Sequence, residues 1–243
     1  MAEPFFYSEQ LADPGATLTL SGDEAHHATA VRRLRAGDVL CLFDGRGGLA
    51  RATLTGITAR GRALDLRIDE RHTAPPPKPA IHLVCALPKG DRQGTLLDMT
   101  TQLGLTTFTP LVCERSAVQP GANSVERWRR ICLEACKQSR RLYLPVVHSP
   151  ATLQKIMAQK PAQAGAVWIA HPAADAMPVV DAVAQNALHD VTILIGPEGG
   201  FTENEIAQAL AAGARSLSLG SAILRIETAA VSLVAFFALA NGS

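Results

Sequence analysis

The chain reads as an α/β protein: a C-terminal, mostly parallel sheet with helices on both faces, preceded by a small β-barrel. Three observations predict this. From Ile81 onward, apolar runs of strand length alternate with helical stretches, the pattern of parallel βαβ units. Before His72 the chain is a series of short strands broken by one helix, which suggests a barrel. Between them lies Thr73-Ala-Pro-Pro-Pro-Lys-Pro79, too rich in proline for a helix or a central strand. The expected organisation is a barrel over residues 1–72, a linker over 73–79 and the α/β domain over 80–243.

In the first part, Thr17–Leu20, Val39–Phe43, Leu49–Ile57 and Ala63–Ile68 are strand candidates. Leu64, Leu66 and Ile68 alternate with Asp65, Arg67 and Asp69, the half-buried pattern. Ser21-Gly-Asp-Glu24 has capping-box spacing, so a helix is expected from there to near Gly37. In the second part, strands are expected at Ile81–Leu87, Thr106–Val112, Val146–His148, Val167–Ala170, Val191–Ile195 and Arg215–Leu219. Helices are expected at Asp91–Leu103, from Ser124 to about Arg141, at Thr152–Gln159 and at Val179–Leu188. Thr202 and Glu205 form a second capping box and open another. The final helix, Ile226–Ala240, is apolar nearly all round, which requires burial on more than one side.

Composition excludes several classes. The 243 residues are 47% hydrophobic and 19% charged, enough for a sizeable core, with no apolar run of membrane-spanning length. The start, Met1-Ala-Glu-Pro-Phe-Phe, lacks the charged and apolar regions of a signal peptide, so a cytoplasmic protein is expected. The five cysteines are odd in number, and Cys132 and Cys136 have no histidine pair at metal-ligand spacing. Free buried thiols are expected, with no disulfide framework and no metal. A net charge of +1 does not announce nucleic acid. Arg32, Arg33 and Arg35, and a second run from Arg127 to Arg141, read either as solvated faces or as phosphate contacts.

The chemistry concentrates between Val191 and Ala230. The strand Val191–Ile195 runs into Gly196-Pro197-Glu198-Gly199-Gly200, and the strand ending near Leu219 runs into Gly220-Ser221-Ala222. Loops at the carboxyl ends of strands are where an open α/β sheet takes its ligand, and glycines there allow close approach to the backbone. Spacing alone leaves open a ligand site or ordinary turn chemistry. Glu198, Arg225 and Glu227, in or beside these loops, favour a site without naming a ligand.

Gly196-Pro-Glu-Gly-Gly-Phe-Thr202, followed by Leu219-Gly-x-x-Ile-Leu-Arg-x-Glu-Thr-Ala229, resembles the signature pair of the RsmE-type ribosomal RNA uridine methyltransferases. These belong to the SPOUT class of knotted methyltransferases. Leu87-Pro-Lys-Gly90, Gln102-Leu-Gly104, Glu114-Arg115-Ser116, Arg127-Trp128 and Gln138-Ser139 extend the resemblance, as do His27, Arg32 to Arg35 and Phe43-Asp-Gly45 nearer the start.

The resemblance implies a PUA-like RNA-binding barrel and a SPOUT domain with a trefoil knot. It implies a homodimer using the last helix, and S-adenosylmethionine as methyl donor. The acceptor it implies is the N3 of a uridine in 16S ribosomal RNA of the small subunit. The implied cofactor pocket comprises Ala170, His171 and Pro172; Ile195, Gly196, Pro197, Glu198, Gly199 and Gly200; and Leu219, Gly220, Ser221, Ile223 and Leu224. The implied RNA contacts are His27, Arg32, Arg33, Arg35, Lys89, Arg115 and Arg140. Uridine N3 is protonated at neutral pH, so transfer needs a base or a cation that stabilises the anionic ring. Arg225 is the expected cation, with Glu227 or Glu198 orienting it or taking the proton, and Glu227 expected to hold Arg225 in place. Gln102, Met99 and Ser221-Ala222 depart from the family pattern; the last removes a usual arginine.

Two other readings compete. One is an α/β enzyme binding a nucleotide phosphate at the capped helix after Gly199-Gly200, although no P-loop or Gly-x-Gly-x-x-Gly pattern is present. The other is an RNA-binding protein that keeps the fold without catalysis.

Overall fold

The structure is a computed structural model and describes residues 3–158, 165–173, 175–185 and 189–240. The chain divides into two compact units. The first takes residues 1–76 and 136–144; the second takes 77–135 and 145–243. The segment Cys136–Leu144, which the sequence reading assigned to the α/β domain, thus belongs with the first unit.

The first unit is a curled five-stranded sheet. Its strands are β1 (Phe5–Tyr7), β2 (Thr17–Ser21), β3 (Val39–Phe43), β4 (Gly48–Thr58) and β5 (Ala63–Thr73), ordered β1-β3-β4-β5-β2. β1 was not expected; three residues give too little alternation to read. Leu40, Leu42, Ala50, Ala52, Leu54, Leu64, Leu66 and Ile68 form one buried cluster, so the alternation seen in the sequence does face a core.

The expected helix from Ser21 to Gly37 is corrected. Only Asp23–His26 (α1) is α-helical, followed by a wide π turn over His27–Val31. Arg33 adopts φ +56°, which a continuing helix forbids. The capping box is absent too: Gly22 is the cap residue and no side chain caps the helix. Glu24 is committed elsewhere, accepting from the Tyr7 amide at 3.2 Å and from Lys137 Nζ at 2.7 Å.

The second unit holds an eight-stranded sheet. It comprises β6 (Ile81–Ala86), β7 (Thr107–Val112), β8 (Val146–Val147), β9 (Ala151–Thr152), β10 (Ala166–Ala170), β11 (Met177–Pro178), β12 (Val191–Ile195) and β13 (Arg215–Ser218). The order is β11-β13-β10-β12-β6-β7-β8, with β9 also on β7, and every recorded pairing is parallel. The last strand therefore lies between two strands that are consecutive in the chain. Pro110 sits inside β7, where a missing amide is normally costly. On that edge β7 meets β8 through Thr107 and Phe108 and β9 through Leu111 and Val112, so Pro110 falls in the gap between partners.

The helices of this unit are α2 (Arg92–Leu103), α3 (Ser124–Ser139, whose last residues from Cys136 onward fall in the first unit), α4 (Leu153–Ala158), α5 (Val179–Gln185), α6 (Glu203–Ala211) and α7 (Ile226–Leu239). Gln159 and residues 186–188, expected to end two helices, lie outside the described residues. The capping box of α6 is present, with Glu205 N–H donating to Thr202 Oγ1 and Thr202 N–H donating to Glu205 Oε2. Apolar α7 is covered by α2 and α5 and by β6 and β12, with Ala230, Leu233, Val234 and Phe237 fully buried. Trp128 is also fully buried, edge-on to Phe108. All five cysteines are buried, and none is in a disulfide.

His82 on β6 tests this packing. Its Nε2 lies 2.8 Å from Thr109 Oγ1, and its ring is edge-on to His148. Burial, with the charge of His148 adding to it, pushes its pKa down from 6.5 to about 4. A group depressed in the folded state contributes stability above its unfolded pKa and loses it as pH falls through the folded one. Between pH 7.5 and pH 4 the wild type should lose up to about 3 kcal/mol through this site. Urea denaturation of His82→Gln should show that much less pH dependence over the same window; an identical pH profile in the variant would refute the assignment.

Candidate functional site

Register brings the site together. Ala170 at the end of β10 pairs with Ile195 of β12 on one side and Leu217 of β13 on the other. Three parallel strands thus end at one level, and the loops that follow them converge. They enclose a cavity of about 290 Å³. Its walls are Ala170, His171 and Pro172 from the first loop, Ile195, Gly196, Pro197, Glu198 and Gly200 from the second, and Leu219, Gly220, Ser221, Ile223 and Leu224 from the third. Phe201, Leu217, Ser218, Ala222, Ile226 and Ala229 complete the wall and were not among the expected pocket residues. The signal was available for Phe201 and Ala222, which stand inside or beside the glycine motifs; the rest become visible only through the strand ends and α7.

The glycines serve different purposes. Gly200 and Gly220 adopt φ +70° and +111°, and a Cβ at either would point into open space. Their requirement is conformational. A Cβ at Gly196 would sit 2.9 Å from the Phe201 ring, so this glycine admits an aromatic wall. Gly199 is the one expected pocket residue outside the wall: its would-be Cβ direction is filled by Arg115, whose Nη1 donates to Gly199 O at 3.1 Å.

The charged groups are arranged differently from expectation. Glu227, in the first turn of α7, pairs with Arg92 of α2: Arg92 Nη1 lies 3.4 Å from Glu227 Oε1. Arg92 Nη2 lies 3.7 Å from Glu198 Oε1, and its Nε donates to Lys89 O at 3.2 Å. Arg225, the cap residue of α7, has an exposed side chain without a hydrogen bond or ion pair among the described residues. Glu227 therefore holds Arg92, not Arg225. Its side chain is only 14% exposed, and Oε2 is buried without a hydrogen-bond partner among the described residues. Burial raises the nearby Cys85 thiol far above its ordinary range, with the charges of Cys113, Glu227 and Glu198 adding to the effect. Arg92 was missed because it is 135 residues from Glu227 in the chain.

A family model described as an RNA methyltransferase domain matches residues 75–238, and one described as an RNA methyltransferase PUA domain matches residues 20–63. The Ribosomal RNA small subunit methyltransferase E of Synechocystis is 36% identical, over 88% of this chain and 70% of its own length. That of Mycobacterium tuberculosis is 35% identical, over 95% and 89%. The chain belongs to the RsmE family of ribosomal RNA small subunit methyltransferases. Among solved structures, the RsmE protein of Neisseria gonorrhoeae bound to S-adenosyl methionine superposes with TM-score 0.85 at 29% identity, covering 96% of each chain. A Legionella pneumophila structure with bound cofactor SAM gives 0.86 at 29% identity, covering 99% and 98%.

In this RsmE-family chain the candidate RNA residues are spread over both units. Arg32, Arg33 and Arg35 are exposed in the first unit, and His27 is half-buried with its ring edge-on to Phe6. Arg140 is bound to the Glu3 carbonyl and stacked on Phe5, so it has a structural role. In the second unit Lys89 is exposed and Arg115 braces the glycine loop. The basic run from Arg127 to Arg141 does not form one surface set. Arg127 reaches Gln93, Arg129 and Arg130 approach Glu126, and Arg141 is largely buried, which lowers its pKa. No cluster of three or more metal-ligating side chains occurs among the described residues.

Gly220 gives a direct check on the loop. Gly220→Ala should cost on the order of 1 kcal/mol or more, since an L residue there enters a disfavoured region whatever space is available. Urea denaturation measures it; an unchanged midpoint would mean that the loop readily adopts another conformation.

Proposed function

We propose that this protein transfers a methyl group from S-adenosylmethionine to N3 of a uridine in 16S ribosomal RNA of the small subunit. The observation that carries the reading is the cavity at the ends of β10, β12 and β13, walled by the paired glycine motifs of the family. Relatives with this fold hold S-adenosyl methionine or SAM. The wall fits such a donor. It is mostly aliphatic, offers backbone groups at three loops, and its formally charged side chain is Glu198, complementary to a cationic ligand. S-adenosylmethionine supplies an electrophilic methyl carbon on a sulfonium, whose carbon–sulfur bond breaks with its electron pair left on sulfur.

The chain's own residues have the remaining tasks. Loops fixed by strand register hold donor and acceptor in line, a contribution on the order of 7–11 kcal/mol in well-oriented systems. Arg225, exposed and unpaired among the described residues, faces the uracil edge and stabilises the ring as it becomes anionic. A carboxylate, Glu198 or Glu227, takes the N3 proton. Arg32, Arg33 and Arg35 meet RNA phosphates. A homodimer that uses α7 and a cytoplasmic location belong to the same reading. No helix among the described residues is long and apolar enough to cross a membrane.

The test is methylation of 16S ribosomal RNA with the modified base identified by mass spectrometry. N3-methyluridine is the expected product; another methylated base, or none, would overturn the reading. Arg225→Ala should lower the single-turnover rate about 100-fold while S-adenosylhomocysteine affinity stays unchanged. Higher pH should partly restore it, because more uridine is then ionised. A near-normal rate would leave Arg225 without a catalytic role.

A further inference from the structure

Arg92 stands where three segments meet. Its Nε donates to the Lys89 carbonyl, Nη1 faces Glu227 of α7, and Nη2 faces Glu198 of the glycine loop. A planar guanidinium addressed from three directions has a fixed plane, and it fixes the groups around it in turn. The two carboxylates differ in access. Glu198 lines the cavity and is 39% exposed, whereas Glu227 is 14% exposed and does not line it. Glu227 Oε2 is buried without a hydrogen-bond partner, so among the described residues Arg92 is the group that makes this carboxylate tolerable. Glu227 is therefore too enclosed to meet RNA and well placed to anchor Arg92. Glu198 is the carboxylate presented to a ligand.

We propose that Arg92 is a positioning residue of the methyl transfer: anchored by Glu227, it holds the Glu198 carboxylate at the cavity wall as the acceptor of the uridine N3 proton. This rests on the reading that uridine N3 is the acceptor. The N3–H bond breaks, its proton goes to Glu198, and the electron pair left on N3 forms the new bond to the methyl carbon. Glu198 Oε1 faces Arg92, so Oε2 takes the proton. Arg92 from α2, Glu227 from α7, the thiol of Cys85 from β6 and His171, which shares the cavity wall, are titratable or charged groups near this carboxylate among the described residues. In this arrangement Glu198 touches substrate, and Arg92 and Glu227 act through it.

The test compares Arg92→Ala, Arg92→Lys, Glu227→Gln and the double variant Arg92→Ala/Glu227→Gln. Each is measured for S-adenosylhomocysteine affinity by titration calorimetry and for single-turnover rate on 16S ribosomal RNA. Arg92→Ala should lose about 100-fold in rate with affinity within twofold of wild type. Arg92→Lys, which keeps the charge but loses the fork, should recover part of it, and millimolar guanidinium should rescue Arg92→Ala. The double variant should be no slower than Arg92→Ala, because both residues serve one carboxylate. If Arg92→Ala does not fold, Arg92→Lys carries the test, with an expected loss of about 10-fold at unchanged affinity. A wild-type rate in Arg92→Lys, a rate loss matched by lost cofactor affinity, or fully additive losses would overturn the proposal. Identification of the wild-type product separates the two claims: if N3-methyluridine forms and the Arg92 variants keep the wild-type rate, only the role of Arg92 fails.

Discussion

The parallel register of β12, β10 and β13 is the constraint on which the site depends. Ala170 is level with Ile195 on one side and Leu217 on the other, so three loops leave the sheet at one height. A slip of one residue would turn each strand's buried side chains to the opposite face. Val167, Trp168 and Ile169 of β10 and Ile193 and Leu194 of β12 are buried on both faces of the sheet, so such a slip would have to repack both layers at once. The loops need few side chains of their own because the sheet has already placed their backbones. That is why the cavity wall is largely glycine, proline and aliphatic.

The second determinant is the packing of α7. The helix starts at Arg225, directly after the loop that walls the cavity, and its buried face is clamped by α2 and by β6 and β12. Its first turn thereby brings Glu227 to Arg92 at the start of α2. One helix contact thus ties the scaffold to the charged group beside the cavity. Removing Arg92 would expose the weakness of this arrangement, since Glu227 is enclosed and one of its oxygens has no other partner among the described residues.

Much of this was legible in the sequence. The strands β3, β6, β7 and β12 follow from apolar runs, and the α6 capping box from Thr202 and Glu205. The glycine loops marked the cavity, and only Gly199 of the expected wall lies outside it. What failed was local pattern overruled by distant partners. Glu24 looked like a capping residue, but Tyr7 and Lys137 claim its carboxylate. Glu227 was read with its neighbour Arg225 because they are two positions apart, whereas an ion pair with Arg92 spans the fold. Strands β9 and β11 have two residues each, too few for any period to register.

A crystal structure with S-adenosylhomocysteine and a short uridine-containing RNA would decide the role of Glu198. The cofactor product is expected between the glycine loops, with the Glu198 carboxylate within about 2.6–3.2 Å of uracil N3 and Arg92 still bridging Glu198 and Glu227. A uracil whose N3 faces no carboxylate, or a cofactor product bound outside the cavity of β10, β12 and β13, would contradict this arrangement.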